Sequence, residues 1–475
     1  MKTSQSSAAP TALFPRPHDR TRTDDLLTRH LQDAHARVVA GSVTPTLDMG
    51  AFKAELAAFD FEQPRSLDEV LAWAIAGLER GIVHITHPRY LGLYNPVPTF
   101  PSQCADRIAA AFNPQLATAT TSPVAVELEA HVIRTVAQRA GFPAGSAGHF
   151  TTGGAEANNT ALICAVTRAC PGFALDGARA FDGRPIFYVS NEAHLAWLKI
   201  AHQAGIGRSA VRLVATDGSG RMDVNALVRE IAADRAVGNT PVMIVATAGT
   251  TNAGMIDPLP ECAALARELG LWYHVDAAWG GAAIASDRLR PHLAGIEAAD
   301  SVTIDAHKWF ATTMGCGMII LRDAALLSYA FQVATTYMPS NQRHLDPYVT
   351  SVQWSRRFLG LRLFLSLAAA GWNGYADHVE RSVATAQYMR DELLARGWAV
   401  VNDSPLAVLS IHPPFGAPDA RVIVANVVQS GQAWISTAVL EGREVIRACI
   451  THGETTRHDI DHVVAAMQAA SGLAA

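Results

Sequence analysis

Six short apolar runs, at 186–190, 211–215, 242–246, 271–275, 302–304 and 317–321, punctuate the middle of the chain, and helix-patterned segments separate most of them. Strands that alternate with helices are joined by crossovers, which set them parallel in one sheet with helices on both faces. The sequence therefore predicts an α/β fold with a mostly parallel central sheet. Its flanks read differently. A Ser/Ala/Pro-rich opening, expected to be flexible to about residue 23, precedes helical patterns at 24–39 and 67–79. Beyond 351 a long helical stretch leads to helix 375–396, strands 399–401 and 407–411, helix 419–428, strands 433–438 and 445–450, and helix 456–470. That order predicts a small C-terminal α+β domain. The expected division is 1–100, flexible and helical; 101–350, the large α/β domain; and 351–475, a linker helix with the small domain. A chain of 475 residues, 49% hydrophobic and 17% charged, can bury cores of this size.

Composition removes several functions. A net charge of −5 without a long basic run argues against nucleic acid or an anionic membrane as partner. The apolar stretch 358–372 contains Arg362 and is too short to span a bilayer. The six cysteines are scattered, with no Cys-x-x-Cys and no His-Glu-x-x-His, so neither a disulfide framework nor a metal site is expected. Free thiols point to a reducing cytoplasm.

Two predicted strands end on chemistry. Leu-Trp-Tyr-His-Val at 271–275 delivers Asp276 and breaks at Gly280-Gly281, and the run that opens at 301 ends beside His307 and Lys308. An amine and a carboxylate at neighbouring strand ends are what pyridoxal phosphate requires: a lysine to hold its aldehyde, and an acid to keep its ring nitrogen protonated. An aspartate about 4 Å from that nitrogen, at an effective dielectric of about 20, favours the pyridinium by roughly 4 kcal/mol, about three pKa units. Burial opposes this by disfavouring the cation.

The strings His-Val-Asp-Ala-Ala-Trp-Gly-Gly at 274–281 and Asp-Ala-His-Lys-Trp at 305–309 closely resemble the signature of the group II pyridoxal-phosphate-dependent amino-acid decarboxylases. That family includes the aromatic-L-amino-acid, histidine, glutamate, cysteine-sulfinate and diaminobutyrate enzymes. The resemblance covers most of the chain from about His87. It implies the type I fold of the pyridoxal-phosphate-dependent transferases and a homodimer with shared active sites, with the N-terminal segment at its interface.

Thr-Thr-Gly-Gly-Ala-Glu at 151–156 sets two glycines before a helix-forming run, where free amides and the helix dipole favour an anion. The matching family segment binds the cofactor phosphate, which makes Gly154 and Ala155 the candidates. Relatives often carry a hydroxyl residue at 155, and several carry asparagine where this chain has Asp305. A carboxylate there would repel the phosphate unless it pairs with a cation. By the same resemblance His194 stacks on the ring face opposite Lys308, Thr251 meets the polar edge, and Ala278 and His307 complete the cofactor contacts. Asp257 before Pro258 reads as a helix N-cap.

The segment 332–347 lacks periodicity and reads as a functional loop of the lid kind. Tyr337 within it aligns with a family tyrosine that protonates the substrate carbon after carbon dioxide leaves, from the neighbouring subunit. Tyr94, Asn95, Phe100 and Trp354 are candidates for the substrate wall. These aromatics lean toward an aromatic or bulky amino acid, although Trp279-Gly280-Gly281 looks more like the acidic-substrate relatives. The rivals are an aminotransferase using Arg447 to clamp the carboxylate, a decarboxylation-dependent oxidase, and a cofactor-binding scaffold without turnover.

Overall fold

The computed structural model describes residues 13–333 and 346–472. All six apolar runs form strands, joined by one that the sequence did not announce. In chain order the large sheet contains β1 (Ala147–Thr151), β2 (Pro185–Ser190), β3 (Val211–Val214), β4 (Thr240–Thr247), β5 (Trp272–Asp276), β6 (Ser301–Asp305) and β7 (Gly317–Leu321). Their spatial order is β1-β7-β6-β5-β4-β2-β3. Neighbours from β3 through β6 run parallel, and β7 runs antiparallel to both β6 and β1. The sheet is therefore mostly parallel, as expected. β1 escaped notice because Ala-Gly-His-Phe-Thr has no apolar run, and its glycine is there for packing. A Cβ on Gly148 would lie 1.9 Å from the Ile319 carbonyl of β7.

β5 and β6 are buried end to end and β4 from Val242 onward, with Val245, Val275 and Ile304 at 0–1% exposure. Helices Gly154–Ala169, Leu259–Leu269 and Pro123–Arg139 pack around them. The second sheet holds β8 (Ala399–Val400), β9 (Val408–His412), β10 (Ser436–Leu440) and β11 (Arg443–Cys449), antiparallel in the order β10-β11-β9-β8. β10 starts later than expected because residue 434 serves another partner: Leu91 N–H donates to the Trp434 carbonyl and Trp434 N–H to the Arg89 carbonyl.

Three boundaries depart from the sequence reading. The first helix begins at Pro17, inside the stretch expected to be flexible, with proline in its first turn and Asp19 at its positive end. The two expected helices at 358–372 and 375–396 form one element, Gly360–Ala395, interrupted where Gly371 adopts φ +65°. Asp257 does not cap the helix at Leu259–Leu269. Its buried carboxylate instead accepts from the amides of Met222 and Thr247, and burial pushes its pKa up to about 6.

Glu129 anchors the linker helix to the large domain. One oxygen pairs with the Arg356 guanidinium and the other accepts from the amides of Leu359 and Gly360, with both side chains 4% exposed. Removing one partner of such a pair leaves a buried charge uncompensated. Glu129→Ala should therefore lower the unfolding free energy by about 3–5 kcal/mol, measured by urea titration; a loss below about 1 kcal/mol would mean that Arg356 finds water instead.

Burial also holds His149, His274 and His378 neutral, each with its pKa pushed down to about 4. The unfolded chain protonates these rings near pH 6.5 while the folded chain does not. Stability is thus complete above about pH 6.5 and is lost progressively as pH falls toward 4. Asp257, with its raised pKa, works in the opposite sense and offsets one of them. The urea midpoint should fall between pH 6.5 and 4.5, and a flat profile across that window would contradict the assignment.

Candidate active site

A cavity of about 370 Å³ opens where β4, β5 and β6 end, lined by residues 93–95, 153–155, His194, Thr251, Asp276, Ala278, Trp279, Asp305, His307 and Lys308 among others. Carboxyl ends of parallel strands are where open α/β sheets place ligands. The expected cofactor residues Lys308, Asp276, His194, Gly154, Ala155, Thr251, Ala278 and His307 all line it, as do Tyr94 and Asn95.

Asp276 closes β5 at 6% exposure. One oxygen accepts from the Asn158 amide at 2.8 Å and the other from the backbone of Ala278 at 3.2 Å. Behind Asn158 lies a chain that sequence reading missed. Trp272 Nε1 donates to Ser301 Oγ at 2.8 Å, Ser301 Oγ meets His274 Nδ1 at 2.7 Å, and His274 Nε2 meets Asn158 Oδ1 at 3.1 Å. The Asp276 carboxylate only accepts, so the Asn158 NH₂ group must face it, Oδ1 is left to accept from His274, and every bond in the series has one direction. Ser301 donates to Nδ1, the His274 proton sits on Nε2, and the Asn158 NH₂ group points at Asp276. With its pKa pushed down to about 4 by burial, His274 stays neutral. The signals were there: His274 and Asp276 share a strand face, and Asn158 stands one helical turn beyond Gly154.

Lys308 Nζ lies 3.1 Å from Asp305 Oδ2, the last residue of β6. Asp305 is 3% exposed, and its Oδ1 has no hydrogen-bond partner. His307 is clamped to Cys316, whose carbonyl lies 3.0 Å and whose amide lies 3.2 Å from Nδ1. Burial lowers its pKa. His194 is arranged alike: Nδ1 accepts from the Ala196 amide at 3.1 Å, and burial lowers its pKa against the pull of Asp276. The His194 ring is thus a neutral Nε2–H tautomer.

The helix Gly154–Ala169 starts at the cavity floor, and the first amides of a helix have no partner within it. A Cβ on Gly154 would stand 2.9 Å from Asp305 Oδ2 and 3.3 Å from Ala278 Cβ, so only glycine leaves that space open. An open amide cradle, an amine and a buried carboxylate in one cavity fit pyridoxal phosphate group by group: phosphate, aldehyde and ring nitrogen.

The opposite wall is aromatic. The Tyr94 ring lies 4.5 Å from that of Trp279, which stacks on Trp309 at 5.4 Å. Tyr94 OH donates to the Thr251 carbonyl at 2.7 Å. Two expected wall residues are elsewhere within the chain. Phe100 opens helix Phe100–Phe112 and is 73% exposed, while Trp354 packs on Tyr348 at 5.0 Å. Arg447 does not line the cavity. Its guanidinium donates to Ser436 Oγ and to the carbonyls of Thr251 and Gly92, so the clamp considered for an aminotransferase is already engaged. Tyr337 and the greater part of the expected lid lie outside the described residues.

Comparison with known proteins agrees with this geometry. Residues 54–405 match the pyridoxal-dependent decarboxylase conserved domain. The chain is 26% identical to the aromatic-L-amino-acid decarboxylase of Bacillus atrophaeus over 458 residues, 94% of this chain and 93% of that one. It is 31% identical to the L-2,4-diaminobutyrate decarboxylase of Rhizobium meliloti (strain 1021) over 401 residues, 82% of this chain and 79% of the other. Among solved structures, mouse CSAD superposes with a TM-score of 0.86 at 26% identity, covering 94% of this chain and 98% of that one. Oryza sativa TDC with PLP and tryptamine shares the fold at 22% identity with a TM-score of 0.91, covering 98% and 99%.

The series that ends on Asp276 can be tested at Asn158. Asn158→Ala removes a hydrogen bond to a charged group, about 1.5–3 kcal/mol, which corresponds to roughly a 10- to 100-fold weakening of cofactor affinity and turnover at 1.36 kcal/mol per decade. Absorbance titration with pyridoxal phosphate and steady-state rates measure both. A change under about threefold would make the series structural only.

Proposed function

This chain belongs to the pyridoxal-dependent decarboxylase family, and from that premise we propose that it removes the α-carboxyl group of an L-amino acid to give the amine and carbon dioxide. The observation that carries the reading is Asp276, a carboxylate held by directed donors at one strand end in the same cavity as Lys308 at the next. Bound pyridoxal phosphate supplies an electron-accepting ring that makes a bond at the substrate α-carbon labile. Asp276 keeps the ring nitrogen protonated, Lys308 holds the aldehyde carbon, and the Gly154 and Ala155 amides take the phosphate. His194 covers one ring face and offers its Nε2–H. Thr251 stands at the polar edge. Tyr337, which lies outside the described residues, would return the proton to the α-carbon once carbon dioxide has left.

Leu93, Tyr94 and Trp279 favour an apolar or aromatic substrate side chain, and no arginine lines the cavity among the described residues. Phe100, Ile108 and Phe112 leave one flank of their helix apolar and exposed, which supports a homodimer whose partner covers it and reaches the site. In such a dimer Phe100 and Trp354 are our candidates for wall residues of the neighbouring subunit's cavity. Six free cysteines, four of them buried, support a reducing, cytoplasmic setting.

Incubation with a panel of L-amino acids, following carbon dioxide, ammonia and 2-oxo acid, tests the reaction: carbon dioxide without ammonia is expected, whereas 2-oxo acid would mean transamination and ammonia oxidation. On the best substrate, Asp276→Asn should slow turnover by roughly a thousandfold, the kinetic equivalent of about 4 kcal/mol. A loss below about tenfold would remove Asp276 as partner of the ring nitrogen.

A further inference from the structure

The amine of Lys308 is only as well placed as the turn that follows it, and that turn is strained. Ala311 adopts φ +52°, the left-handed region where a Cβ crowds the backbone and which glycine enters freely. Four described residues other than glycine have positive φ. Phe61, Asn113 and Glu441 are exposed, whereas Ala311 is 4% exposed. Strain of this kind persists only where the surroundings over-determine it, and it gathers at functional sites.

Here the surroundings are three donors on three successive carbonyls. His378 Nε2 lies 3.0 Å from the Trp309 carbonyl, the Tyr375 hydroxyl donates to the Phe310 carbonyl at 3.1 Å, and the Thr99 amide donates to the Ala311 carbonyl at 2.7 Å. A carbonyl oxygen only accepts, so His378 carries a hydrogen on Nε2. One helical turn further along, Ser382 Oγ accepts from the Trp309 indole at 3.1 Å. Tyr375, His378 and Ser382 are spaced i, i+3 and i+7, so one face of the linker helix holds the segment beyond Lys308. The Ala311 amide closes the turn by donating to the Lys308 carbonyl at 2.9 Å. Were Ala311 to return to negative φ, its carbonyl would swing off the Thr99 amide, and the chain back to Lys308 would move with it.

We propose that His378, with Tyr375 and the Thr99 amide, is a positioning residue: by holding the Ala311 turn in its strained form, the linker helix sets the Lys308 amine where the aldehyde carbon is to arrive. This rests on the role proposed for Lys308 above. Thr99, Tyr375 and His378 do not line the cavity, so they act through the backbone of the turn. Reacting atoms misplaced by about 1 Å can slow a step by roughly a hundredfold, which makes even a small relaxation of the turn visible in the chemistry. Glycine pays no Cβ penalty at left-handed φ, so Ala311→Gly should keep the turn in place when the clamp is lost.

Wild type is compared with His378→Leu, His378→Gln, Tyr375→Phe and the double variant His378→Leu/Ala311→Gly, each as the full chain freed of cofactor. Formation of the covalent link to pyridoxal phosphate is followed by visible absorbance. Binding of deoxypyridoxine phosphate, which lacks the aldehyde, is followed by tryptophan fluorescence. Leucine removes the donor, and link formation should slow by roughly tenfold or more. Tyr375→Phe removes one hydroxyl and should slow it by roughly three- to tenfold, which carries the test if the leucine variant does not fold. Glutamine keeps a donor near the same place and the double variant keeps the turn without one, so both should form the link within about threefold of wild type. All five proteins should bind the deoxy analogue within about threefold of one another, which also shows that each is folded around an intact site. A wild-type rate in His378→Leu or in Tyr375→Phe, a matching loss of affinity for the analogue, or no recovery in the double variant would overturn the proposal. A wild type that forms no link to pyridoxal phosphate would overturn the role of Lys308 instead.

Discussion

Two carboxylates buried at adjacent strand ends set the terms for the rest of this structure. Asp276 is 6% exposed and Asp305 3% exposed, and they close adjacent parallel strands of one mixed sheet. A buried charge is tolerated only where donors or a cation meet it. The two acids are met differently. Asp276 receives a fixed series of neutral donors that begins at Trp272. Asp305 receives the Lys308 amine at 3.1 Å and keeps one oxygen unpartnered. The first arrangement is permanent and the second is provisional. That asymmetry matches the two ends of the cofactor: a ring nitrogen that must stay charged throughout, and a phosphate that must be admitted.

The fold was legible where one residue type repeats at one spacing. The strands β2 and β4 to β7 are apolar because both faces are covered, so they stand out without any partner being known. β1 did not stand out, since its only warrant is the edge of β7, and pairing across more than 150 residues leaves no local pattern. The same holds for the site. Lys308, Asp276 and the glycines at 153–154 were found because strand ends and glycine turns are visible in sequence. Asn158, His274 and Ser301 were not, because each is an ordinary polar residue until the helix at 154 is laid against β5 and β6. Asp257 was misread for a related reason. A residue before Pro258 looks like a cap, but its acceptors are drawn off by amides of Met222 and Thr247, one of them 35 positions away.

The substrate wall raises a different problem, because it belongs to none of the strands. Residues 93–95 precede the large sheet in sequence yet face its strand ends. Arg447 holds them there from the small domain. Its guanidinium donates at once to the Gly92 carbonyl beside that wall, to the Thr251 carbonyl at the cofactor edge, and to Ser436 on β10, and it lies 5.7 Å above the Tyr94 ring. Three regions that fold separately in the sequence are fastened by one planar fork. Lysine could carry the charge but not those three directions or the stacking. The small domain is thus part of the site without lending it a lining side chain: it fixes how far the aromatic wall stands from Lys308, and that distance decides the size of side chain that fits.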